Sequence, residues 1–273
     1  MSALPIPVQA LGPGWGPRTL RTDRQGAVLS VELADPDRGN AVTEALLDEL
    51  LAVLDTRDPE VRVIVLSGAG ADFCLGGDRT EYAGQLAQDP TGGGVRGSGA
   101  KARRVCEALA QHPAVTIARV QGKAVGAGLA LALACDLRVG AEDATFRLPE
   151  LALGLPTAWG GLLPRLISEV GAARVRELVL TCRTFGAHEA RDLSILQKVV
   201  PEADLDAAVR SWAAPVSRRP AAALRVTKQL FNAYAGASRL ADITALDAEL
   251  MASVLAERAY TAARGAADGT HRS

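Results

Sequence analysis

The sequence predicts an α/β fold followed by a helical C-terminal region. Three observations carry this. Short β-branched runs alternate with helical runs from Ala27 to about residue 160. From Gly161 onward almost every segment has helical periodicity. Two glycine-rich turns, CLGGD (Cys74–Asp78) and GAG (Gly126–Gly128), each follow a strand-like run. Strands mixed with helices, then helices alone, is the pattern of an α/β core with a helical appendage.

The elements follow in order. Residues 1–16 fall in MSALPIPVQALGPGWGPR, rich in Pro and Gly. They lack the basic start and apolar centre of a secretory signal and read as a flexible arm. AVLSVEL (Ala27–Leu33) is a strand, DPDRGN (Asp35–Asn40) a turn, and Thr43 an N-cap for TEALLDELLAVLD. VRVIVLS (Val61–Ser67) is a strand leading into GAGADFCLGGD. Gln85–Gly99, ending in TGGGVRGSG, is polar and glycine-rich and reads as the mobile segment of the body. Ala100–Gln111 is helical and AVTIARV (Ala114–Val120) a strand, after which GAG opens a helix. Leu137–Val139 and Ala144–Arg147 are short strands.

Beyond Gly161 come LLPRLISEVG, AARVRELVLT, AHEARDL, ADLDAAVRSWAA, AAALRVTKQLFNAYA and a run from Arg239 to Tyr260, with Leu196–Val200 extended. The helical stretch Ile243–Leu255 buries a face either on the chain's own core or on a second subunit. The chain thus divides into a core at 17–200, a helical region at 201–263 and a disordered tail at 264–273.

With 48% hydrophobic and 22% charged residues, the composition is that of a soluble globular protein. A net charge of -1 gives no basic excess for nucleic acid or an anionic membrane. No apolar run is long enough to span a bilayer. Cys74, Cys106, Cys135 and Cys182 form no CxxC pair. They read as buried reduced thiols of a cytoplasmic protein rather than a metal or redox site.

The chemistry begins at the two turns. A backbone N–H at a helix start lacks an intrahelical acceptor and lies at the positive end of the helix dipole. Glycine lets a ligand approach that backbone. Two facing turns can therefore hold an oxyanion between two N–H groups. GAG is neither a G-x-G-x-x-G fingerprint nor followed by a Walker lysine, so a phosphate cradle ranks below this. Glu150 lies in the apolar stretch FRLPELALGLPTAWGG (Phe146–Gly161). Burial there raises its pKa and suits it to general acid/base work. The plainer reading is a water-exposed capping glutamate.

The ordered motifs NAVTEALLDEL, VIVLSGAGADFCLGGD, AVTIARVQGKAVGAGLALALACDLRVG and FRLPELALGLPTAWGG resemble the crotonase superfamily, the enoyl-CoA hydratases and isomerases. The match covers roughly Val28 to Val200. The resemblance implies a crotonase-like (ClpP/crotonase) spiral of ββα units, with C-terminal helices that build a homotrimer, often paired into a hexamer. It implies an acyl-CoA thioester substrate and no metal or redox cofactor, coenzyme A entering as part of the substrate.

Position by position, the oxyanion donors fall on the N–H groups of Gly77 and Ala127, the latter in place of a common glycine. One of the family's two catalytic glutamates falls on Glu150. The other falls on Ala130, which cannot move a proton, and a catalytic aspartate of some relatives falls on Ala158. The resemblance also points to Asn40, Ala41, Gly76, Asp78, Gly126 and Gly128 around the substrate. Arg38 and Arg79 are the local cations for the coenzyme A phosphates, a family lysine being replaced by Thr80. Lys228 is a further cation, offered from a neighbouring subunit. Leu155 and Trp159 line the acyl pocket or pack the core.

Syn hydration of a 2-enoyl thioester usually uses two carboxylates, whereas moving a double bond from the 3- to the 2-position needs one base. The lead expectation is therefore enoyl-CoA isomerisation by Glu150. The alternatives are a hydratase with a second group from Asp78, Glu81 or Tyr82, a CoA-thioester hydrolase or decarboxylase, and a non-catalytic acyl-CoA-binding protein.

Overall fold

The computed structural model describes residues 19–237 and 244–270. The arm expected at 1–16, residues 239–243 of the expected last helix and the final residues of the tail, 271–273, lie outside these.

Strands β1 (Leu20–Gln25) and β2 (Val28–Leu33) pair antiparallel, with Gln25 opposite Val28. A two-residue turn at Gly26 and Ala27 joins them. Thr43 caps α1 (Glu44–Asp55) as its sequence predicts, its hydroxyl accepting from the Leu46 N–H at 3.1 Å. Next come β3 (Val63–Gly68), α2 (Arg79–Gln88), α3 (Gly93–Gln111) and β4 (Val115–Val120). The site-bearing stretch is β5 (Lys123–Val125), α4 (Ala127–Ala134), β6 (Leu137–Ala141) and β7 (Thr145–Arg147). Then follow α5 (Leu162–Val170), α6 (Ala172–Thr181), β8 (Phe185–Gly186), α7 (Ala187–Asp192) and β9 (Lys198–Val200). The last helices are α8 (Leu205–Ser217), α9 (Ala221–Ala237) and α10 (Asp247–Thr270).

Six strands form one sheet in the order β1-β2-β3-β4-β6-β9, parallel from β2 onward. Val63 lies opposite both Val28 and Val115, which keeps the strand ends level. The run Val63–Leu66 is buried at every position, because parallel strands are covered on both faces. Helix α8 packs across β3, β4, β6 and β9, and α1 packs on α3. A second sheet, β5-β7-β8, carries the turn that opens α4.

The glycine-rich segment 85–99 departs from expectation: from Gly93 it is helix, not a mobile loop. Asp89 turns the chain, accepting from the N–H groups of Thr91 and Gly93, both at 2.9 Å. The glycines then allow a close helix contact. A Cβ at Gly99 would stand 2.7 Å from the Ala248 Cβ, and one at Gly92 3.1 Å from that of Ala252. Val95, Met251 and Ala252 form a small core here with Tyr82, Leu86, Leu155 and Leu255. Of the stretch that sequence left open between own core and second subunit, Met251 and Ala252 are buried on their own chain, while Leu246 and Leu250 stay exposed. Helix α10 also runs to Thr270, so residues 264–270, expected as disordered tail, are helical.

Candidate active site

The first glycine turn is held from two sides. Cys74 donates its N–H to the Lys123 carbonyl (3.1 Å) and accepts from the Val125 N–H (3.0 Å), a parallel bridge to β5. On the other side the Val42 N–H donates to the Gly76 carbonyl (2.8 Å) and the Asp78 N–H to the Val42 carbonyl (3.0 Å). Gly76 and Asp78 therefore face Val42, and Gly77 between them directs its own N–H away from it. Gly76 has φ +101°, and a Cβ there would stand 2.9 Å from the Val125 carbonyl oxygen and 3.9 Å from the Ala127 nitrogen. The two glycine turns are in contact.

The second turn needs its glycines for the same reason. Gly126 has φ 51° and ψ -113°, a conformation L side chains rarely adopt, and its Cβ would stand 2.9 Å from Glu150 Oε1. A Cβ at Gly128 would lie 2.3 Å from the Cys74 carbonyl oxygen. Ala127 is the first residue of α4, so its N–H has no acceptor within the helix. The opposite end is closed by cations. Arg138 donates to the carbonyls of Leu133 (3.3 Å) and Cys135 (3.0 Å), and Arg165 to those of Ala134 (3.3 Å) and Cys135 (3.0 Å). Glu169 pairs with both guanidinium groups.

Glu150 opens the 3-10 turn Leu151–Leu153, yet its side chain makes no capping bond and is 8% exposed. The water-exposed capping reading does not hold. Burial pushes its carboxyl above the ordinary glutamate range, only partly offset by its own backbone N–H. Its Oε2 is buried without a partner. Among the described residues, four buried side-chain polar atoms lack a partner: Glu44 Oε1, Glu150 Oε2, Thr157 Oγ1 and Trp159 Nε1. Three lie on residues 150–159. Each unsatisfied group costs about 1–3 kcal/mol in a dry interior, and water or a bound polar group would relieve it.

Ala130 is buried one turn into α4 and carries only a methyl group. With Leu133, Cys106 and Gly160 it lines a cavity of ≈ 840 Å³ that extends to α5 and α9 and is lined by none of Gly77, Ala127 and Glu150. No proton-moving group stands where the second family glutamate falls.

Other expected contacts are redistributed. Asn40 is 1% exposed and spends its side chain inside the protein. Its Nδ2 donates to the carbonyls of Ala69 (2.9 Å), Asp72 (2.9 Å) and Phe73 (3.2 Å), and its Oδ1 accepts from the Asp35 N–H (3.0 Å). It is a framework residue under the first turn, not a side-chain contact for substrate. Ala41 is half-buried between Asn40 and the Val42 bridge. Asp78 caps α2 through the Thr80 and Glu81 N–H groups and pairs with Arg38, which also approaches Asp35. Arg79 is exposed and makes no ion pair among the described residues. Leu155 packs in the small core beside α10, and Trp159 is buried.

Lys228 does not reach outward to a neighbour. It is 6% exposed, pairs with Asp136 at 2.7 Å and donates to the carbonyls of Leu109 and Ala114. Sequence gave no signal for Thr157, nor for the close packing of Tyr82 on Gly77, whose Cβ would stand 3.1 Å from the Tyr82 ring.

The four cysteines are buried and unpaired, and burial pushes Cys74, Cys106 and Cys135 up to about 12. Among the described residues no group of three His, Cys, Asp or Glu is arranged to hold a metal. No described helix is long and apolar enough to cross a membrane.

Comparison with known proteins agrees with the motifs. The family described as enoyl-CoA hydratase/isomerase matches residues 23–266. A Mycobacterium tuberculosis protein named as a probable enoyl-CoA hydratase is 32% identical over 217 residues, covering 78% of this chain and 81% of that one. A peroxisomal Delta(3,5)-Delta(2,4)-dienoyl-CoA isomerase of Arabidopsis thaliana is 33% identical, over 77% of this chain and 78% of that one. The crystal structure of an enoyl-CoA hydratase from Bacillus anthracis superposes with a TM-score of 0.75 at 30% identity, covering 87% of this chain and 90% of that one. The turns, the buried glutamate and these likenesses together place the chain in the enoyl-CoA hydratase/isomerase family, with the crotonase fold.

Proposed function

We propose that this enzyme isomerises the double bond of enoyl-CoA thioesters through an enolate, with Glu150 as its single acid/base. The observation that carries this is the pairing of a buried Glu150 carboxyl against Gly126, its Oε2 unpartnered, with a bare methyl group at Ala130. In a 3-enoyl thioester, Glu150 takes a proton from the α-carbon. The electrons pass into a dienolate whose oxygen is held by the N–H groups of Gly77 and Ala127. Glu150 then returns the proton to the γ-carbon, giving the 2-enoyl product. One donor of such a pair is worth about 2.7–4 kcal/mol in the transition state. A positioned base typically adds about 10²- to 10⁴-fold.

Coenzyme A enters with the substrate, and Arg79 is the cation free to meet its phosphates. Val226, Leu230, Phe231 and Tyr234 expose an apolar stripe on α9, which supports self-association into a trimer or hexamer. A hydratase is the second reading, favoured by the names of most relatives. The test incubates the protein with 2-enoyl-CoA and 3-enoyl-CoA substrates beside Glu150→Gln. Isomerisation of the 3-enoyl substrate, slow hydration and loss of both in the variant are expected. Fast hydration would promote the second reading, and unchanged turnover in the variant would remove Glu150 as the base.

A further inference from the structure

Three candidates for a second polar group stand at the end of the first glycine turn and just after it: Asp78, Glu81 and Tyr82. Two are spent on structure. Asp78 accepts from the N–H groups of Thr80 (2.8 Å) and Glu81 (3.2 Å) and pairs with Arg38. Glu81 accepts from the Glu44 N–H at 3.0 Å, tying the start of α2 to the start of α1. Both acids therefore face the framework.

Tyr82 does not. Its ring lies over the Cα of Gly77: a Cβ added there would stand 3.1 Å from the ring edge and 3.3 Å from the hydroxyl oxygen. The phenol oxygen thus belongs to the same turn as the Gly77 N–H. Leu155 packs in the same small core as the ring, and Trp159 stands beside the hydroxyl. The buried indole N–H of Trp159 faces that hydroxyl without closing a full hydrogen bond. Tyr82 therefore links the first glycine turn to Trp159, on the segment 150–159 that also carries Glu150 and Thr157.

The geometry points to Tyr82 as a third donor of the site, its phenol O–H donating to the thioester oxygen beside the Gly77 N–H. The inference rests on the enolate reading of this site. The tyrosine proton stays on its own oxygen throughout, and the hydrogen bond strengthens as negative charge gathers on the thioester oxygen. Burial pushes the phenol pKa up, partly offset by the indole, so the group remains a neutral donor. An O–H in this place suits a site with one carboxylate: it adds stabilisation at the oxygen without adding a second base at the carbon.

Tyr82→Phe is the informative variant, because it keeps the ring over Gly77 and against Leu155 and removes only the oxygen. Turnover of 3-enoyl-CoA should fall about ten- to hundredfold, while KM and the affinity for a saturated acyl-CoA stay within threefold. The carbonyl stretch of a bound saturated acyl-CoA, read by difference infrared spectroscopy, should move to higher frequency in the variant. Unchanged turnover with an unchanged band would overturn the assignment. So would a tenfold loss of acyl-CoA affinity with turnover preserved, which is the mark of a packing or binding role. If the unmodified protein turns over neither enoyl substrate, the enolate reading fails instead, and the band shift alone decides whether Tyr82 reaches the oxygen.

Discussion

Asn40 offers the sharpest test of how the first turn is held. It has φ 52° and is 1% exposed. Two amide hydrogens are shared among the carbonyls of Ala69, Asp72 and Phe73, and its oxygen takes the Asp35 N–H. That amounts to roughly three full hydrogen bonds at about 0.5–1.5 kcal/mol each. Asn40→Gly keeps the left-handed backbone free of strain and should cost about 3 kcal/mol. Asn40→Ala adds about 1 kcal/mol for a Cβ in that region. Urea unfolding followed by circular dichroism measures both, as a lower midpoint at constant slope. Turnover should fall with stability, because residues 69–73 lead straight into the turn that carries Gly77. An Asn40→Gly protein within about 0.5 kcal/mol of the parent but weakened in coenzyme A binding would refute the framework role and restore Asn40 as a ligand contact.

Three further outcomes are expected. As a base Glu150 must be ionised, so kcat/KM should rise with pH along a limb above the 4.5 of an ordinary glutamate, then level off. Its raised folded-state pKa favours folding at low pH, and that contribution is lost as pH rises through the folded pKa. Glu150→Gln should therefore raise Tm more at pH 8 than at pH 4, and calorimetry showing equal shifts would contradict the burial argument. Ala130→Glu puts a carboxyl at the buried position where the second family glutamate falls; it should raise the ratio of hydration to isomerisation at least tenfold, measured on 2-enoyl-CoA and 3-enoyl-CoA in parallel. Lys228→Met keeps the apolar stem but strands Asp136 and two carbonyls. Because Asp136 also takes the Thr116 N–H and hydroxyl, the loss should sit near the low end for a broken buried pair, about 3 kcal/mol. Chemical denaturation measures it, with Asp136→Asn in the same chain recovering part.

What the sequence could and could not reveal follows from the range of each interaction. Strands β3 and β4 are β-branched runs buried over most of both faces, and β2 alternates part-buried and buried positions, so a local reading finds them. Strand β1, LRTDRQ, buries only Leu20 fully, and without an apolar alternation it leaves no signal. Glycines at 92–99 read as a loop because a glycine's usual local meaning is a turn. Here they answer to Ala248 and Ala252, some 150 residues away, where a Cβ would keep two helices apart. Asn40 after a Gly resembles a ligand contact for the same reason: three of its four partners lie at 69–73. The two glycine turns were legible because their requirements are local, a strand, a glycine and a helix start. The packing of Tyr82 on Gly77 and the unpartnered atoms of Thr157 and Trp159 are properties of the assembled wall alone.

The two ends of α4 then explain one another. An eight-residue helix leaves several carbonyls unmet at its C-terminus, and burying them bare would be costly. Two guanidinium groups, tied together by Glu169, meet those at 133–135 and neutralise that end of the dipole. The N-terminus gets no such partner from a side-chain cap; it is left to glycines, with Glu150 at its side. A helix N-terminus favours a carboxylate and would lower its pKa, yet the net direction for Glu150 is upward. Desolvation therefore wins at this position. In the proposed reaction the same dry, positive end favours an oxygen that becomes charged only when the proton moves to Glu150. The site trades charge between two neighbours around one helix terminus. That demands a base destabilised in its ionised form and an oxyanion stabilised in its own, the two conditions that burial of Glu150 and the bare N–H of Ala127 supply.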